Sequence, residues 1–398
     1  MNRIAATLLL AFLVAAAPDD GGIFAQVESI TRKLSDITGW QLKRKVPASM
    51  MTKPELDRYL NKKVASEVKP DELRAEQITL RALGFVDDSF DLKQSVLEVL
   101  SEQAAAFYDT NKKRLYVMES SSGQTSILVH ELSHALADQY FPLERFIKHA
   151  GKSDDGHMAR MAVMEGQATW LMSEWQASTN GQTLIGRPEM VNLMSKPATM
   201  GSGEFPALAK APLYLQETLL FPYTQGLAFQ HAVIEKLGKA GFSGVFTDPP
   251  RTTQQILHPE HYFSRRGAES LELPPVTIAK GFKELSEGDL GELDHQILLR
   301  QFQVTDWESI AEGWRGSIYK VWENKREKRT LLLYASIWAS ENAADRFFDS
   351  YRRHVLPGKK KDFAEDSLTD GRLEARSSEG KVTLMRRGRS VFSIEGLP

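Results

Sequence analysis

The run Val129-His130-Glu131-Leu132-Ser133-His134 combines residue types and a spacing that can do chemistry. Two histidines four apart on a helix lie on one face, one turn from each other. Their imidazoles can then converge on a single zinc ion. Glu131 sits about 100° around the helix from His130. From there its carboxylate can take the proton of a metal-activated water and act as general base. The spacing is a mechanical requirement of that chemistry, and it needs a helix beneath it. Ile127, Leu128, Leu132, Ala135 and Leu136 give that helix an apolar side.

Catalytic zinc takes three protein ligands and leaves a fourth position for water. A third histidine at the metzincin spacing would fall at residue 140, with glycine at 137. The chain has Tyr140 and Ala137 there, so that class is excluded. The alternative is a carboxylate from the next helix. Glu165 is a lone acid in the apolar stretch from Met158 to Trp170. A buried carboxylate costs several kcal/mol, on the order of 3–5, unless it is paired or metal-bound. Gly166 and Ala168 beside it are small enough to let the two helices approach closely.

His130, His134 and Glu165 together resemble the ligand set of the gluzincins, the zinc metallopeptidases typified by thermolysin. The run HELSHALADQ is similar to the thermolysin active-site helix. More widely, the chain resembles a group of secreted bacterial proteins classed as metallopeptidases. The resembling runs are Phe107-Tyr-Asp-Thr110, HELSHALADQ, Val163-Met-Glu-Gly-Gln-Ala168, Phe221-Pro-Tyr-Thr-Gln-Gly226, Asp248-Pro-Pro and Ile256-Leu-His-Pro-Glu260. They cover much of 105–263. The resemblance implies a zinc peptidase fold and names no substrate. Thermolysin-like enzymes carry an acid four residues after the ligand glutamate, and here that position is Thr169. Support for a zinc histidine must then come from elsewhere, and Asp138, one turn beyond His134, is the candidate.

Peptide hydrolysis puts negative charge on the former carbonyl oxygen, so a tyrosine or histidine donor is expected near the metal. Tyr223, expected to open a helix in a Pro/Gly-framed segment, and His258, in the turn before Pro259, are the candidates. Arg114–Met118 is the candidate edge strand for pairing with an extended peptide. The segment ending Gly151-Lys152-Ser153 fails as a phosphate loop, because position 146 is Phe.

These residues need elements to position them. Residues 26–104 read as helical, with helix-like spacing at Val27–Ile37, Lys53–Tyr59, Pro70–Ala82 and Leu92–Ala106. A hairpin follows, Ala106–Tyr108 and Arg114–Met118 around a polar turn. Helices are expected over 124–140, 154–177 and 224–237. The C-terminal part alternates like strands at Ser317–Glu323, Thr330–Ala339, Arg372–Ser377, Val382–Arg386 and Val391–Glu395, with a helix at Glu341–His354. The expected class is α+β. It comprises a mostly helical zincin-like catalytic domain at 105–302, with a short β-hairpin and edge strand before the histidine helix. A helical region at 18–104 precedes it, and a small α+β domain at 303–398 follows.

The first residues read as an address. Met1–Arg3 is basic, Ile4–Ala17 is an unbroken apolar run, and Pro18-Asp19-Asp20 ends it. This describes a secretory signal peptide at 1–17 and an exported protein, periplasmic or extracellular. The run is short of the roughly 20 residues that span a bilayer, so no stable membrane insertion is expected after cleavage. The chain has 398 residues, a net charge of −2 and no cysteine. That balance removes the electrostatic case for nucleic acid. The missing cysteines exclude disulfides, thiol catalysis and Cys-ligated zinc.

The expectation is a secreted zinc-dependent peptidase holding one Zn²⁺ per chain and acting on a peptide or protein. Two rivals stand beside it: an inactive, zinc-stabilised binding or assembly protein, and a zinc hydrolase of a non-peptide amide. Oligomeric state is not legible in the sequence.

Overall fold

The computed structural model describes residues 23–67, 69–119, 125–196 and 205–397. The expected signal peptide at 1–17 lies outside the described residues. The helical N-terminal region comprises Ile23–Thr38, Lys53–Glu67, Pro70–Leu83 and Leu92–Gln103. Asp91 caps the last of these by accepting from the Gln94 amide, and Gly84 ends Pro70–Leu83 in the left-handed conformation.

Two sheets follow. The first has three strands, β1 (Ala48–Met51), β2 (Ala106–Asp109) and β3 (Arg114–Met118), in the order β1-β3-β2. The hairpin is therefore present, but Arg114–Met118 is not the expected edge strand. It is central, paired antiparallel with β2 and parallel with β1. Both its edges are occupied, so it cannot accept a peptide strand. The reason lies in β1, a four-residue segment that arrives from well upstream.

The second sheet is β4 (Lys283–Gly288), β5 (Trp314–Asn324), β6 (Arg329–Trp338), β7 (Ala364–Thr369), β8 (Arg372–Ser377), β9 (Gly380–Arg387) and β10 (Ser390–Leu397), in the order β4-β5-β6-β10-β9-β8-β7. Along β6 the alternation of a strand divides the side chains between two cores. Leu332 and Tyr334 join the main core, and Leu331 and Leu333 join a smaller cluster on the other face, against Leu273, Val276 and Phe282. The sheet begins at Lys283, ahead of the boundary expected at 303. Its first strand, KELSEG, is too polar to announce itself by alternation. The sheet is not a detached unit. Arg74 donates to Glu323 at 2.9 Å, and Thr79 meets Ser286 at 2.5 Å. One continuous core runs from Ile30 to Val391.

Two helices carry the candidate ligands. The histidine helix is Thr125–Asp138, and every residue from Ser126 to Asp138 is buried. The glutamate helix is Asp154–Thr179, buried on nearly every side through its middle turns, where Glu165 and Gln167 lie among apolar residues. A third helix, Leu213–Leu237, continues past Pro222, so Tyr223 stands within it rather than at its start. It crosses the glutamate helix at glycines. A Cβ on Gly166 would lie 2.2 Å from the Gly226 carbonyl, and one on Gly226 would lie 2.4 Å from the Ala162 oxygen. Only a residue without a side chain permits that approach.

Candidate metal site

Leu128, Leu132, Ala135 and Leu136 anchor the histidine helix in the core, each at 0 % exposure. His130 and His134 then project from one face toward the glutamate helix, where Glu165 is 1 % exposed. The Nε2 atoms of His130 and His134 are 3.1 Å apart. Glu165 Oε2 lies 3.1 Å from His130 Nε2 and 3.4 Å from His134 Nε2.

These three separations can be compared with a metal's requirements. Zinc–nitrogen and zinc–carboxylate bonds of about 2.0–2.1 Å at tetrahedral angles put neighbouring ligand atoms roughly 3.3 Å apart. The three atoms form one face of such a tetrahedron. Among the described residues, His130, His134 and Glu165 are the group of three or more side chains that could hold a metal ion.

The electrostatics fit the same picture. Burial works to raise the Glu165 carboxyl, but the charge of His134 and the hydrogen bonds of both histidines outweigh it and hold it at about 2. Burial lowers His130. Burial works to lower His134 too, yet the charge and hydrogen bond of Glu165 win and raise it. His134 Nε2 and Glu165 Oε2 lie 3.4 Å apart, and a divalent cation held between them would compete with protons for both.

Glu131 is 2 % exposed, and burial pushes its carboxyl up to about 8. Its Oε2 accepts the Tyr108 amide of β2 at 2.6 Å. Sequence reasoning missed this contact, since a backbone donor leaves no residue-type signal. Tyr223 is brought into the group: its ring stacks on His130 with centroids 6.0 Å apart and planes 25° apart. Burial first, and then the charges of Glu165 and Glu131, push its hydroxyl well above its ordinary range.

Two candidates are placed differently. Asp138 does not support His134 by a hydrogen bond. Its carboxylate accepts the Tyr108 hydroxyl at 2.9 Å, the Lys113 ammonium at 2.6 Å and the Leu143 amide at 3.1 Å. It bears on His134 through charge alone. The cause is positional: Asp138 ends its helix, where the β2–β3 hairpin and the Leu143 amide offer nearer donors. His258 is not part of the metal group either. Its Nε2 lies 2.9 Å from Glu292 Oε1, and its ring lies 5.3 Å from that of His261. Glu292 is fixed from its other oxygen by Gln254 at 2.7 Å, which holds His258 in that partnership.

Residues 277–398 match a family model described as a domain of unknown function (DUF8575). That match covers the second sheet from β4 onward and none of the metal group. No curated protein matches the chain, and no solved structure matches it.

Proposed function

We propose that the chain is a zinc-dependent hydrolase of peptide bonds, with His130, His134 and Glu165 as the ligands and Glu131 as the base. The observation that carries the proposal is the tetrahedral face formed by the three ligand atoms, with Glu131 one residue from the first of them. Zinc, when bound, supplies a Lewis acid that polarises a carbonyl and acidifies water. Glu131 takes the proton of the attacking water and returns it to the leaving amine. Tyr223, stacked on His130, is the donor for the charge that develops on the carbonyl oxygen.

The test pairs metal content with turnover. The purified chain should hold about one zinc, which His134→Ala and Glu165→Ala should lose or weaken. Glu131→Gln should keep zinc and lose cleavage of an unbiased peptide library. A Glu131→Gln variant that cleaves like the wild type would overturn the mechanism. The burial of His130, Glu131, His134 and Glu165, from 1 to 7 % exposed, favours a second reading, a zinc-stabilised protein without turnover. A wild type that binds zinc and cleaves nothing would select it.

Export belongs to the same proposal and rests on the apolar run Ile4–Ala17. Among the described residues no helix is long and apolar enough to cross a membrane. The mass of the protein recovered from expressing cells would show whether the first 16 or 17 residues are removed.

A further inference from the structure

We propose that Tyr108 is a positioning residue for Glu131, and that Asp138 acts on the site through Tyr108 rather than through a histidine. Tyr108 is tied at both ends to the same helix. Its hydroxyl donates to Asp138 Oδ2 at 2.9 Å, and its amide donates to Glu131 Oε2 at 2.6 Å. Asp138 follows Glu131 by about two turns, so one strand residue spans both points.

The far end of this link is rigid. Lys113, in the turn of the same hairpin, donates to Asp138 Oδ2, and the Leu143 amide donates to Oδ1. The sheet fixes the register of the strand, and the Tyr108–Asp138 bond sets how close its amide comes to the histidine helix. Tyr108 pairs with Leu115 of β3, and the neighbouring Phe107 ring stacks between Tyr59 and Tyr116 at 4.8 and 5.1 Å. The amide is thus delivered to Glu131 at a fixed place. A glutamate side chain has three rotatable bonds and many accessible positions. With one oxygen held by Tyr108, the other is the oxygen left to exchange a proton with water. Asp138, which the sequence suggests as support for His134, instead fixes the base.

The turnover effect rests on Glu131 being that base; the hydrogen bond does not. The test therefore reads both, on the full chain. In protein labelled with ¹⁵N-tyrosine, the Tyr108 amide is the resonance that disappears in Tyr108→Phe. Its proton should lie far downfield, as a hydrogen bond of 2.6 Å requires. Asp138→Ala should move it upfield, as should Glu131→Ala. Asp138→Asn, which keeps the acceptor for Leu143, serves if the alanine variant does not fold. Tyr108→Phe should bind zinc as the wild type does and cleave peptides with kcat lowered about tenfold or more at unchanged KM.

A Tyr108 amide that stays in place when Asp138 is substituted overturns the proposal. So does an Asp138 variant that loses zinc affinity while the amide stays in place, since Asp138 would then act on the ligands. If the wild type cleaves nothing, the amide resonance still decides whether Asp138 controls Glu131, and only the reading of Glu131 as base falls.

Discussion

Gly166 and Gly226 meet backbone to backbone, and that contact sets how close the glutamate helix comes to the helix carrying Tyr223. A Cβ on Gly226 would sit 2.4 Å from the Ala162 carbonyl oxygen and 3.1 Å from the Gly166 Cα. Both obstacles are main chain, so no rotamer change relieves them. Gly226→Ala should destabilise the chain by about 1–3 kcal/mol, the range for overpacking a tight core. It should also weaken zinc binding, because Glu165 precedes Gly166 and moves with it. A urea midpoint equal to wild type would show that the helices separate at little cost.

Zinc should stabilise the fold, since its ligands come from two helices that unfolding separates. Metal at a hundred times its dissociation constant contributes about 2.7 kcal/mol. Thermal unfolding with and without a chelator should show an upward shift of the midpoint in zinc. Glu165→Ala and His134→Ala should reduce or remove that shift. An equal shift in the variants would place the metal elsewhere.

The parts of this site that were legible in the sequence are those set by local periodicity. His130 and His134 share a face because a helix repeats every 3.6 residues, and an apolar run marked that helix. Glu165 stood out because a bare carboxylate in an apolar helix needs a partner. What was hidden came from distant chain or from backbone. β1 pairs with β3 from 67 residues upstream (Ala48 with Leu115), and four residues of ASMM carry no strong pattern. The amide of Tyr108 would serve Glu131 whatever side chain stood there. The sequence places the start of the helix around Tyr223 just beyond Pro222; an interior proline removes a hydrogen bond and crowds the preceding turn. Burial of Leu215, Thr218 and Phe221 on the near side of Pro222 carries the helix through instead.

The second sheet reaches the glutamate helix through Asp289. Its carboxylate accepts the Ser153 hydroxyl at 2.6 Å and the amides of Asp154 and Asp155 at 2.7 and 3.0 Å. These amides lie in the first turn, where a helix has no partners of its own. Asp289→Ala should lower stability by about 1–2 kcal/mol, the usual cost of losing a cap. Asp289→Asn, which keeps an acceptor, should lose less. Unfolding of both variants should remain one transition, because the core is shared. Two separated transitions in Asp289→Ala would show that the sheet folds as an independent unit.

His295 should make the fold acid-sensitive. It is 0 % exposed, among Trp314, Tyr334, Trp338 and Phe347. Its Nδ1 donates to the Gly291 carbonyl at 2.6 Å, so its Nε2, 2.6 Å from the Tyr334 hydroxyl, accepts. Burial favours the neutral ring and lowers its pKa to about 4. The unfolded chain, with histidine near 6.5, binds the proton first as pH falls. Between about 6.5 and 4 the unfolded state therefore holds more protons, and stability falls with pH. A displacement of this size corresponds to about 3 kcal/mol. Asp294 nearby acts in the opposite sense, because burial raises its carboxyl to about 7. The difference between wild type and His295→Gln removes that shared contribution to first order. Measured by urea unfolding from pH 7 to pH 4, the advantage of the wild type should shrink by roughly that amount. A difference that stays level across the range would mean that His295 enters the core already protonated.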